Sequence, residues 1–138
     1  MEIMWTVDDI EGSVDPDDVL GSIVLKSAAG EIRDRCVYLV DWFMVLVDGL
    51  LALKQGKSLS ADLVSEPDPV DFRLVGDTTQ ITYRGDTLTV PVAELEQAMR
   101  DSARELLDFV SASSSPSASL KAWGRVSDFA RVHDGLEG

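Results

Sequence analysis

"DRCVYLVDWFMVLVDGLLAL", residues 34 to 53, is the most apolar run of the chain, and it contains three aspartates. How it is read decides the fold. A membrane-spanning helix needs about 20 mostly apolar residues, and this run almost reaches that length. Each Asp near its middle would cost roughly 2.5–3.5 kcal/mol on insertion. Its flanks also lack the basic clusters that orient a span. The run therefore reads as a core helix.

Placed on a helix, Asp34, Asp41, Asp48 and Gln55 recur every seven residues. A heptad drifts by only about 20° per step on an α-helix, so the four form one polar seam. The rest of the circumference is apolar, through Val37, Leu39, Val40, Phe43, Met44, Leu46, Val47, Leu50, Leu51 and Leu53. A helix of that kind is buried on several sides. The spacing predicts a long central helix over residues 31–55, ended by Gly56, with Lys54 and Lys57 near its negative end. Cys36, among apolar neighbours, reads as a buried inert thiol. The seam is either the wet edge of the helix or a carboxylate row facing cations of a partner. No histidine accompanies it.

Working outward, residues 2–8 alternate Ile3, Trp5 and Val7, a strand pattern. Residues 8–18, "DDIEGSVDPDD", are acidic and turn-rich, and residues 19–27 read as a second strand. Beyond the helix, "KQGKSLSADLVSEPDPVD", residues 54–71, reads as a loop with Pro67 and Pro69. Three alternating runs follow at 70–75, 78–84 and 86–92, separated by Gly76-Asp77 and Gly85-Asp86. Glycine at the first central position suits a type II′ hairpin turn. A three-stranded antiparallel meander is expected here. After Pro91, Val92, Leu95, Met99, Ala103, Leu106 and Val110 recur at helical spacing, which predicts a second, amphipathic helix.

The expected fold is α+β: an antiparallel sheet of about five strands, two N-terminal and three in the meander. It packs on the long central helix and the second amphipathic helix. One domain over residues 1–110 is followed by a Ser-rich linker at 111–119 and a tail at 120–138. The tail carries Leu120, Trp123, Val126, Phe129 and Val132, spaced for a short helix that docks on the domain or on a partner.

The chain has 25 acidic and 12 basic residues, a net charge of −13. A field of that sign repels nucleic acid and anionic membrane and attracts basic proteins. One cysteine and one histidine, His133, cannot assemble a zinc site. Aligned from Asp9, the acidic loop puts Val14 and Leu20 where a calcium-binding EF-hand requires Gly and Glu. Phosphate loops and nucleophile elbows are missing from the sequence. No cofactor, metal or catalytic residue is expected. No secretory signal is recognisable in "MEIMWTVDDIEG", which makes the cytoplasm the default location.

The expected function is that of a small acidic binding protein. The closest class is an immunity-type inhibitor that neutralises a basic toxin or effector by charge and surface complementarity, acting as monomer or homodimer. The alternatives are a chaperone for a secreted effector and a carboxylate or small-ligand enzyme. Two acidic patches are the expected partner-binding residues. One is Asp8, Asp9, Glu11, Asp15, Asp17 and Asp18, a run without a positive charge. The other is Glu66, Asp68 and Asp71 in and beside the proline-bearing loop.

Overall fold

The computed structural model describes residues 1–8, 14–64, 67–115 and 119–137, with 132–137 described as backbone only. Among the described residues the order is β1 (Glu2–Val7), β2 (Leu20–Ser27), β3 (Ala29–Tyr38), α1 (Leu39–Lys54), β4 (Leu59–Asp62), β5 (Pro69–Val75), β6 (Thr78–Tyr83), β7 (Asp86–Pro91), α2 (Val92–Ser113) and α3 (Gly124–Glu137). A 3-10 turn, Lys121–Trp123, precedes α3. The seven strands form one sheet in the order β1-β2-β3-β7-β6-β5-β4, antiparallel throughout. The α+β class is as expected, but about five strands was an undercount.

Two strands account for the difference. Residues 31–38 were expected to open the central helix; they are the body of β3, and α1 begins only at Leu39. The reason lies in β3 itself. Ile32 and Asp34 point inward, while Arg33 and Arg35 are exposed, the period of two of a strand. A helix start at this place would have had to bury part of that charge. The second missed strand, β4, has four residues and sits at the sheet edge, inside the stretch expected to be a loop.

A bulge shapes β3. Gly21 pairs with Val37 and Ile23 with Asp34, so Ser22 alone faces both Arg35 and Cys36. The extra residue takes up a left-handed conformation at Cys36, φ 54°, as bulges often require. It also reverses the alternation: Val37 turns into the core and Cys36 turns outward. The thiol expected to be buried is exposed for this reason.

The sheet is two meanders joined at β3 and β7, and α1 carries the chain from the centre to the far edge. The join is short: Ala29 pairs with Thr89 and Gly30 with Leu88. Gly30 has φ 130°, and a Cβ there would lie 2.3 Å from the Thr87 carbonyl oxygen. Only glycine allows this approach. The side chain of Ser27 reinforces the join, donating to the Thr89 carbonyl at 2.9 Å.

The meander follows the sequence pattern, with one turn corrected. Gly76-Asp77 forms the two-residue β5–β6 turn, with positive φ at the glycine. The second turn is Arg84-Gly85 rather than Gly85-Asp86, because Tyr83 pairs with Asp86. Both of its residues have positive φ, 50° and 84°, the signature of type I′.

Helix α1 closes with Gly56 at φ 78°, where the Gly56 and Lys57 amides donate back to Leu53 and Ala52. This is a Schellman cap. Ten of its residues are buried, among them Trp42, Phe43, Leu46 and Leu50. Its Gly49 lets it sit directly on β5, since a Cβ there would come within 2.6 Å of the Phe72 ring. The second helix buries Leu95, Met99, Ala103, Leu106 and Val110 as its periodicity predicts. It runs on to Ser113, into the stretch read as linker. Trp123, Val126 and Ala130 of the C-terminal segment are at most 3% exposed and belong to the same buried cluster as α1 and the sheet.

Candidate functional site

The loop between β1 and β2 carries the first acidic patch; Asp9 and Glu11 lie outside the described residues. Asp8, Asp15, Asp17 and Asp18 are exposed, and none of the four is in an ion pair among the described residues. The loop's described residues are tied to distant parts of the chain. The Asp8 amide donates to the Leu20 carbonyl at 2.9 Å, closing its base. Val14 is 8% exposed, bridges to Ser114, and donates its amide to the Ser113 carbonyl at 2.7 Å. Pro16 is buried, and its carbonyl accepts the Trp123 indole N–H at 2.8 Å. Between these points Asp15 builds a tight turn. Its Oδ1 accepts from the Asp17 amide and its carbonyl from the Asp18 amide, both at 3.0 Å.

The surroundings increase the negative potential. The loop leans on the C-terminal end of α2, whose last turn holds no basic residue. A helix C-terminus carries roughly half a negative charge. Folding thus brings the loop, through Val14, to a helix end with no basic residue in its last turn.

The second patch is arranged differently. Glu66 lies outside the described residues. Asp68 is bonded to Arg84, with Oδ2 accepting from Nε at 2.9 Å. Asp71 is exposed on β5, opposite Thr82. Strands β3, β7 and β6 lie between β2 and β5 in the sheet order.

The aspartate seam is broken up. Asp34 is on β3, not on the helix. Asp48 forms an ion pair with Arg125 of α3, so a cation of the chain itself answers it. Asp34 is 5% exposed and sits where β3, α1 and β6 meet. Its Oδ2 accepts from the Trp42 indole at 2.8 Å and the Tyr83 hydroxyl at 3.0 Å. Its Oδ1 accepts from the Arg35 amide at 3.0 Å and faces Arg84 at 3.6 Å. The Trp42 and Tyr83 rings meet edge to face, centroids 5.0 Å apart, and the Arg84 guanidinium lies 5.0 Å from the Tyr83 ring. With three hydrogen bonds accepted and Arg84 beside it, the carboxylate is engaged mainly within the fold. It pins the fold.

A third charged cluster anchors α3. Arg100 donates to the Phe129 carbonyl at 2.8 Å, lies over the Phe129 ring at 4.6 Å, and is bonded to Glu96. Lys54 reaches Glu96 from α1 at 3.2 Å. Burial, the largest single influence on Glu96, pushes its pKa up; the hydrogen bonds and charges of Arg100 and Lys54 together outweigh it and hold the carboxyl below the ordinary glutamate value. A depressed folded-state pKa stabilises the fold above the unfolded-state value, and that contribution is lost as pH falls through the folded one. In acid titrations followed by circular dichroism, Glu96→Gln should therefore lose stability less steeply than wild type below pH 4.5. With Lys54 half exposed, the difference should stay under about 1 kcal/mol.

Two hollows flank α3. One, about 570 Å³, lies between α2 and α3 and is lined by Arg104, Leu107, Asp108, Trp123, Asp128 and Arg131, among others. The other, about 340 Å³, lies between the three helices around Leu51 and Phe129. Asp108 and Asp128, the carboxylates of the larger hollow, are exposed. Among the described residues no group of three or more His, Cys, Asp or Glu could hold a metal ion. No helix among them is long and apolar enough to cross a membrane. No protein family, no curated protein and no solved structure matches the chain.

Sequence reasoning found the acidic loop but not what holds it. Trp123 was read only as part of an aromatic tail, and Val14 only as a failed calcium-loop position. No local pattern announces either contact.

Proposed function

We propose that the protein is a non-catalytic binding module for a basic protein, of the kind that neutralises a toxin or effector, acting in the cytoplasm. The observation that carries this reading is the pinned loop. Asp15, Asp17 and Asp18 are exposed, have no ion-pair partners among the described residues, and follow Val14, whose amide bonds the last residue of α2. Long-range attraction by such a group speeds encounter with a cationic surface. A fixed loop also loses little conformational freedom on binding, which favours a long-lived complex. Arg84 already engages Asp68, so the second patch has less charge to offer.

The experiment is capture of basic proteins from the protein's own cells at low and high salt, followed by association kinetics with the captured partner. Reversing Asp15, Asp17 and Asp18 to lysine should slow association by roughly tenfold or more at low salt and flatten its salt dependence. Reversing Asp62, Asp77 and Asp86, all exposed on the far half of the sheet and outside both patches, changes net charge equally and should have a smaller effect. Equal effects from the two trios, or none from either, would remove the loop from consideration. Turnover of a substrate would end the reading.

A further inference from the structure

We propose that Trp123 is the positioning residue of the acidic loop: docking of the C-terminal segment sets the shape in which Asp15, Asp17 and Asp18 are presented. The functional consequence rests on the reading above; the coupling itself rests on geometry alone.

Between its base at Asp8 and Leu20, the described part of the loop makes three long-range backbone attachments: the Val14 amide on the Ser113 carbonyl, the Pro16 carbonyl under the Trp123 indole, and the Val19 carbonyl under the Leu39 amide. The first two lead to the C-terminal part of the chain, the second across 107 positions. Trp123 is fully buried and Pro16 is buried with it. The bonded carbonyl lies between Asp15 and Asp17, at the centre of the exposed triplet. Other bonds there are local: the Asp17 and Asp18 amides both return to Asp15.

The Asp17 and Asp18 amides close a tight turn on Asp15, and the indole ties that turn to the C-terminal segment through the carbonyl at its centre. Helix α3 has further attachments of its own: Arg125 on Asp48, and Arg100 and Arg104 on the carbonyls of Phe129 and Ala130. Removing the indole bond therefore need not release the helix. Charge and shape become separable properties, with the aspartates supplying the first and Trp123 the second.

Amide hydrogen exchange on the full chain tests this. Trp123→Phe keeps most of the ring volume and deletes the N–H, which strands the buried Pro16 carbonyl. The amides of Val14, Asp17 and Asp18 should then exchange about tenfold faster or more, while those of Phe72 and Ile81 in the meander keep their wild-type rates. Unchanged loop rates would overturn the proposal. Uniform acceleration of loop and meander would overturn it too, because the indole would then only support the fold as a whole. A second measurement needs no substitution. In the wild-type protein the Trp123 indole N–H and the Val14 amide should open together, so their exchange should show the same dependence on low concentrations of urea; divergent dependences reject the coupling. Binding of a hexa-arginine peptide, with and without the Asp15, Asp17 and Asp18 reversals, judges the partner-binding reading separately. Loss of binding on reversal supports that reading, and unchanged binding removes it, with the exchange result standing on its own.

Discussion

Asp34→Ala should destabilise the protein by about 3–5 kcal/mol, the range for breaking a buried, hydrogen-bonded charge cluster by removing one partner. The carboxylate is 5% exposed and accepts from Trp42, Tyr83 and the Arg35 amide, with Arg84 beside it. Alanine would leave an indole N–H and a phenol O–H stranded in the core. It would also take from Arg84 one of the anions it faces, although Asp68 and solvent would relieve that loss. Against a total stability of about 5–15 kcal/mol, the change could leave little of the fold at 37 °C. Urea unfolding would measure it. Asn at this position keeps one acceptor oxygen, able to serve either the Oδ1 or the Oδ2 donors but not both, so its cost should fall near half that of alanine. Tyr83→Phe takes one donor away while the Trp42 indole still bonds the same Asp34 oxygen, and should cost only about 0.5–1.5 kcal/mol. If all three substitutions had the same small effect, Asp34 would not be the pin described here.

Phe43→Ala should cost about as much, about 3–5 kcal/mol, by a different route. Phe43 is 1% exposed on α1, the helix that touches both halves of the sheet and the other two helices. Alanine removes a ring and leaves a cavity that a close-packed interior refills only in part. Leucine fills more of that space and should lose markedly less. The urea midpoint should fall while the slope of the transition stays constant, since the folded and unfolded surfaces hardly change. A loss below about 1 kcal/mol would place Phe43 outside the core and α1 away from the sheet. The two substitutions also separate two kinds of stabilisation: repacking with larger apolar residues rescues the cavity, whereas only an acceptor rescues the stranded donors.

The two halves of the chain differed in how openly their sequence declared their structure. The meander was legible because alternation and turn glycine agree: Val70, Phe72, Ile81, Leu88 and Val90 all face inward. Helix α2 was legible because its apolar positions repeat at one period over 22 residues. The start of the opening run, residues 34–38, was not. Asp34, Asp41 and Asp48 share a heptad spacing by coincidence, and the coincidence made a strand look like a helix. The signal against it was present. Arg33 and Arg35 around Asp34 would sit badly on a helix buried on several sides but fit a strand with one wet face. Strand β4 offers only Leu59 and Ala61 in alternation, too little for any period to show.

The candidate site divides in the same way. The acidic run and its freedom from positive charge are plain in the sequence, and so is the excess of negative charge that biases the choice of partner. Composition and local periodicity by themselves determined the α+β class, the meander, the second helix and the sign of the surface field, because each depends on residues close together in the chain. Tertiary structure alone decided that residues 31–38 pair with β2, that a bulge turns Cys36 outward and Val37 inward, that Asp34 is a buried pin, and that Trp123 holds Pro16. Those outcomes depend on contacts between distant segments, whose loop-closure entropy is repaid only when the whole core packs, and no short window of sequence contains both partners.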